Sequence, residues 1–321
     1  MNLHKHPEEF RAAILGAAKK YSIQEHMIEK DYWITVLLYN LSKSSFVDKV
    51  VFKGGTSLSK VHKITRRFSE DCDFALKAEA QSANQIKNLI AKIEKTIASA
   101  PFKEVKDHLL ISKGSKFRKS VHSYPRLLDG ELPGILDVIV LEINSFANPF
   151  PHDRMIVSSF IGDYIKDYNP TLLTEYGISD FSVNVLDLRR TFVEKILALV
   201  RASYQGDSDL SELRNKIRHI YDIARLMETK NILEFMDSDD FFKMIDDARN
   251  DDSKNSEFQG DWSKRPLGES EIFKNMKAAL HKLESTYNDS FERTPPIMSY
   301  EKPLSLIGKR LNKYDDYKKN I

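Results

Sequence analysis

The chain has 321 residues, of which 41% are hydrophobic and 10% aromatic, enough for one large or two medium packed domains and too many for global disorder. The formal net charge is only +2, so the protein is not globally basic, and a single cysteine, Cys72, excludes an internal disulfide and fits a reducing compartment. No CxxC or His/Cys cluster suggests structural zinc. The N-terminus, MNLHKHPEEF, lacks the plan of a signal peptide, and no apolar run approaches the roughly 20 residues of a membrane span. The expectation is a cytoplasmic protein with no membrane contact.

Taken in chain order, residues 7–20 and 23–42 read as amphipathic helices, with Ser22 and Glu25 forming a capping-box signature for the second. Residues 49–53 read as a short buried strand broken by Gly54-Gly55, after which SLSKVHKI reads as a helix. Residues 70–76 alternate as a half-buried strand does. A helix fits 82–99, and strands fit 107–113, 116–124 and 135–144, the last the most apolar and placed centrally. ANPFPHD breaks the pattern. From 188 onward the chain reads helical, over 188–204, 210–228, 231–250 and 268–288, with a polar loop at 251–266. The predicted fold class is α/β (α+β): a mixed-sheet half at 1–187 and a helical half at 188–321.

Residues 51–76, VFKGGTSLSKVHKITRRFSEDCDFAL, carry the chemistry. Glycines at 54 and 55 let a ligand approach the backbone, and Thr56 and Ser57 open a helix whose first N–H groups suit an anion. On the strand that follows, alternation puts Asp71 and Asp73 on one face and Cys72, Phe74 and Leu76 on the buried one. Two adjacent carboxylates repel each other, and a hard cation such as Mg²⁺ relieves the repulsion. Magnesium bridging phosphate oxygens is the recurring logic of phosphate and nucleotidyl transfer. Basic residues crowd two stretches: Lys53, Lys60, Lys63, Arg66 and Arg67, then Lys103, Lys106, Lys113, Lys116, Arg118 and Lys119.

The wording FKGGTSLSK…RFSEDCDF resembles the AbiEii toxin branch of the polymerase-beta-like nucleotidyltransferase superfamily, and EKDYW at 29–33 resembles the stretch preceding that motif. The resemblance runs from about residue 25 to 228; residues 230–321 match no recognisable pattern. It implies NTP as substrate, Mg²⁺ as cofactor, an RNA acceptor with tRNA foremost, and a toxin partnered by a cognate antitoxin that either binds this chain or acts on transcription of the pair. It also implies a third carboxylate on a neighbouring strand. Glu142, in IVLEIN, is the candidate, because a glutamate inside an apolar strand needs a partner; Asp137 is the rival on the opposite face. A family lysine and aspartate on successive helices match Lys195 and Asp222, the lysine to neutralise triphosphate charge and the aspartate to orient that lysine or the acceptor; an ordinary exposed Arg218–Asp222 pair is the plain alternative. Ser69 either helps hold phosphate or caps a turn, and Lys53 either contacts phosphate or is a solvated strand end. The predicted site thus comprises Asp71, Asp73, Lys195 and Asp222 as catalytic, Lys53, Gly54, Gly55, Thr56, Ser57 and Ser69 as nucleotide-binding, and Asp71, Asp73 and Glu142 as metal-binding. Transfer to a protein or a small molecule, or a silent nucleotide-binding module, are the competing readings.

Overall fold

The computed structural model describes residues 1–77, 82–106, 108–130, 136–207, 209–255, 258, 260–291 and 294–320. They form two compact units, Met1–Leu186 and Asp187–Ile321.

The first unit runs α1 (Pro7–Tyr21), α2 (Glu25–Ser42), β1 (Val50–Lys53), α3 (Gly54–Lys60), β2 (Asp71–Leu76), α4 (Ala83–Ile97), β3 (Lys103–Glu104), β4 (Ser112–Lys113), β5 (Phe117–Ser123), β6 (Ile139–Asn144), β7 (His152–Val157), α5 (Phe160–Tyr168), α6 (Thr171–Glu175) and β8 (Phe181–Leu186). The strands make one mixed sheet in the order β3-β5-β6-β2-β1-β8-β7, with β4 on β5. β2 runs parallel to β6 and β1 to β8, and the remaining pairs are antiparallel. Phe52, Cys72, Phe74, Leu141 and Val185 fill one face and pack against α1, α2, α4 and α5. The α4 isoleucines 86, 90, 93 and 97, spaced one helical stripe apart, are all buried there.

The expected mixed α/β class holds, with local differences. Ser22 does not cap α2: it ends α1 in the left-handed conformation, φ 54°, and Gln24 precedes α2 without a side-chain cap. The reciprocal cap forms at Ser82, whose Oγ accepts from Gln85 N while Gln85 Oε1 accepts from Ser82 N. Of the strand expected at 107–113, only Ser112–Lys113 pairs; residue 107 lies outside the described residues, as does residue 135 of the strand expected at 135–144. Two strands and two helices between 152 and 186 were not anticipated.

Three consecutive charges on α2 are buried. Glu29 accepts from the N–H groups of Leu127 and Leu128. Lys30 Nζ bonds Glu70 and the Leu136 carbonyl. Asp31 takes Lys60 Nζ at 2.5 Å and the Phe160 N–H at 3.0 Å. Burial lowers the pKa of both Lys30 and Lys60, and their carboxylate partners oppose that shift. Tyr32 and Trp33, which follow these charges, are fully buried.

The second unit is helical: α7 (Leu188–Gln205), α8 (Ser211–Arg214), α9 (Ile217–Leu226), α10 (Lys230–Asp237), α11 (Asp240–Ser253), α12 (Glu271–Lys274), α13 (Met276–Ser290) and α14 (Glu301–Lys319). The helix expected over 231–250 is split where Ser238 turns extended. No helix among the described residues is long and apolar enough to cross a membrane.

Lys60→Met leaves the Asp31 carboxylate buried with one N–H partner, and urea unfolding is expected to show a loss of about 3–5 kcal/mol. His4 makes a second prediction. Burial first, then Lys5 and the N-terminal ammonium, push its pKa down to about 4, while its Nδ1 lies 2.9 Å from the Tyr32 hydroxyl. The unfolded chain therefore binds this proton more readily than the folded one. The contribution is fully present above the ordinary histidine pKa and is lost as pH falls from there towards 4. Urea midpoints should fall over that window by more in wild type than in His4→Gln.

Candidate active site

β1 ends at Lys53, and Gly54 follows at φ 80°, a conformation that side-chain-bearing residues rarely adopt. A Cβ at Gly54 would lie 2.0 Å from Asp73 Oδ2, and one at Gly55 would lie 2.6 Å from an Arg67 guanidinium nitrogen and 2.9 Å from Ser69 Oγ. Gly54 is therefore required, by its backbone angle and by close approach to Asp73; at Gly55 the neighbours are the ends of the Arg67 and Ser69 side chains, which lie close against the backbone. Arg67 entered the sequence reading only as part of a basic stretch; its position over Gly55 is a tertiary fact.

Thr56 Oγ1 donates to the Asp71 carbonyl at 2.5 Å and lies 3.0 Å from Ser69 Oγ, while Ser57 Oγ donates to the Gly54 carbonyl at 2.9 Å. Both residues are buried. The Thr56 hydroxyl thus ties the glycine turn to β2, and the Ser57 hydroxyl closes the turn on itself. α3 spans only seven residues, so its N-terminus presents a few N–H groups rather than a long dipole.

Asp71 and Asp73 lie on the β2 face opposite Cys72 and Phe74, as alternation requires. Cys72 is fully buried, and burial pushes its thiol pKa well up, so it is an inert small hydrophobe. Glu142 stands in register with Asp73 on the parallel neighbour β6, and Lys53 stands opposite Asp73 on β1. Directly opposed residues share a face, so Lys53, Asp73 and Glu142 are brought together. Glu142 is held by Lys119 Nζ at 2.6 Å. Among the described residues no group of three or more His, Cys, Asp or Glu side chains is placed to hold a metal ion. The pair Asp71 and Asp73 still fits a hard divalent cation, because its donors are all oxygen and Gly54 leaves open the space beside Asp73 that any Cβ would fill.

A cavity of about 390 Å³ adjoins this turn, with Thr56, Ser59, Arg66, Arg67 and Ser69 among its lining residues.

In the second unit, Lys195 on α7 meets Asp222 on α9 at 2.9 Å, with side-chain exposures of 7% and 0%. His219 Nδ1 lies 3.5 Å from the same ammonium. The exposed Arg218–Asp222 alternative fails, because Asp222 is fully buried while Arg218 is exposed.

The nucleotidyl transferase AbiEii toxin model, of the type IV toxin–antitoxin class, matches residues 36–296. The chain belongs to the AbiEii family. This AbiEii member is accordingly a nucleotidyltransferase of the toxin type, and its family points to an antitoxin partner and an NTP substrate. Its fold is similar to that of MenT4, a nucleotidyltransferase toxin from Mycobacterium tuberculosis H37Rv, at 17% identity and a TM-score of 0.56, over 97% of this chain and 90% of that one. No curated protein matches it.

Gly54→Ala should leave helical circular dichroism intact and reduce nucleotide transfer by at least about 10²-fold, because the new methyl group must displace the Asp73 carboxylate.

Proposed function

We propose that this AbiEii enzyme transfers a nucleotide from an NTP–Mg²⁺ complex to a hydroxyl of an RNA acceptor, with tRNA as its principal target. The observation that carries the reading is the close passage of Gly54 over Asp73, which places a ligand-accessible backbone beside two carboxylates of one strand face.

In this reading Asp71 and Asp73 hold the magnesium, which neutralises charge on the phosphates and orients the reacting phosphorus. The Gly54 and Gly55 backbone admits the triphosphate, and the N–H groups of Thr56 and Ser57 donate to it. Arg67, Ser69 and Lys53 add charge and hydrogen bonds around it. Within the second unit, Asp222 holds Lys195 in one orientation, at a buried position where that charge is poorly screened.

The acceptor is held by exposed cations. Lys63 and Arg66 remain exposed in the first basic stretch, and Lys103, Lys106, Lys113 and Lys116 in the second. Lys60 is buried on Asp31, and the largely buried Arg118 is paired with Glu94, so neither belongs to this acceptor surface. Binding through the exposed residues should weaken steeply with salt.

The test is label transfer from each α-labelled NTP, with Mg²⁺ and total bacterial RNA. Label should enter tRNA-sized RNA with wild type and fall by at least about 10²-fold with Asp71→Ala. Label on protein, or transfer undiminished in Asp71→Ala, would sink the RNA target or the carboxylate assignment respectively.

A further inference from the structure

The cavity of about 390 Å³ beside the glycine turn lies within the first unit, and neither Asp71 nor Asp73 lines it. Met27, Asp31 and Ile34 of α2 line it, as do Thr56, Ser59 and Lys60 of α3. Spacings of three and four residues put each set on one face of its helix. The buried Asp31–Lys60 ion pair joins the two helices, so these two charges satisfy each other.

The rest of the lining sorts by chemistry. Tyr21 and Phe160 pair with ring centroids 5.4 Å apart, and Phe68 adds a third ring; all three are half-buried. Such faces suit a flat ring. Lys63, Arg66 and Arg67 bring positive charge, Lys63 sharing its own with Asp163 at 3.5 Å. Guanidinium groups suit phosphate. Thr65 gives an independent sign of a ligand. It lines the cavity, is only 7% exposed, and its Oγ1 has no hydrogen-bond partner among the described residues. Buried hydroxyls are rarely left so, and a polar ligand in the cavity would supply the partner. The volume is that of a small-ligand site.

We propose that this cavity is a second nucleotide site, which takes a nucleoside monophosphate with its base among Tyr21, Phe68 and Phe160 and its phosphate at Arg67. Arg67 and Ser69 line the cavity and also lie against Gly55, so the phosphate stands beside the turn. A bound monophosphate therefore competes with an NTP for Arg67. That competition rests on the reading in which Arg67 contacts the triphosphate; the site itself does not.

The experiment is equilibrium dialysis of the full-length protein with labelled AMP, GMP, CMP and UMP in turn, in EDTA so that no metal is held at the carboxylates. At least one of them should bind. Its affinity should fall by about tenfold in Phe160→Ala, the size of one base–aromatic contact. It should fall by about three- to tenfold in Thr65→Val, the size of one hydrogen bond. Thr65→Val is close to isosteric and removes a hydroxyl that has no partner, so it keeps the fold even where Phe160→Ala does not. Asp71→Asn should bind as wild type does. No binding of any of the four, binding lost in Asp71→Asn, or binding unchanged in both cavity variants would each overturn the proposal. In transfer assays with Mg²⁺, the same nucleotide at ten times its dissociation constant should raise the KM for NTP about tenfold at unchanged kcat, and less in Phe160→Ala. A KM that does not move overturns the competition. Arg67→Met, assayed without monophosphate, tests the underlying reading alone: an unchanged KM for NTP would remove Arg67 from the triphosphate, while the dialysis still decides the site.

Discussion

Glu29, Lys30 and Asp31 occupy successive positions on one helix, and each is buried against a different segment of the first unit. The Lys30–Glu70 pair holds the residue immediately ahead of β2, where Asp71 begins. The Asp31–Lys60 pair holds the last residue of α3, whose first residue is Gly54. The carboxylate strand and the glycine turn are therefore anchored to the same helical turn, and their mutual distance is set by it. Taking these charges out of water is costly, and the partners' hydrogen bonds offset that cost only in this one arrangement. A geometry in which a backbone passes within contact of Asp73 Oδ2 needs such anchoring, since a small drift would close the space or open it too far.

Within that frame, charge is arranged along the sheet rather than along the chain. Lys53, Asp73, Glu142 and Lys119 come from four strands and become neighbours only through register. A shift by one residue would send the whole of β2 to the other face, putting Cys72 and Phe74 in water. The buried face of β2 thus fixes where its carboxylates point, and hydrophobic packing does the aiming for the polar chemistry. In the second unit, burial makes the Lys195–Asp222 pair a rigid one, unlike an exposed pair on a helix surface, which would be mobile and worth little.

Much of this was legible in local pattern. The 70–76 alternation is local, and it placed Asp71 and Asp73 on one face. Gly-Gly after an apolar run marked the turn, and the helical period from 188 onward marked the character of the second unit. The edge strand β7, HDRMIV, was missed because its exposed positions carry polar and apolar residues alike, so no alternation stands out. β8 was missed although FSVNVL is strand-like, since it pairs with β1 across more than a hundred residues of sequence. The S-x-x-E signature was read at Ser22, where α1 ends, while the equivalent S-x-x-Q at Ser82 forms the real capping box.

The sequence by itself determined the class of the protein, its family, the two carboxylates on one face of β2 and the glycine turn, because these depend on residue type and on spacings of one to a few residues. Only the tertiary structure decided which charges are spoken for. Lys60 belongs to Asp31, Lys30 to Glu70, Arg118 to Glu94 and Lys119 to Glu142, so a run of basic residues that looks uniform in sequence divides into structural and exposed members. The physical reason is that an ion pair depends on distance in space and on burial. Partners such as Asp31 and the Phe160 N–H, 129 residues apart, leave no periodic trace in the chain that joins them.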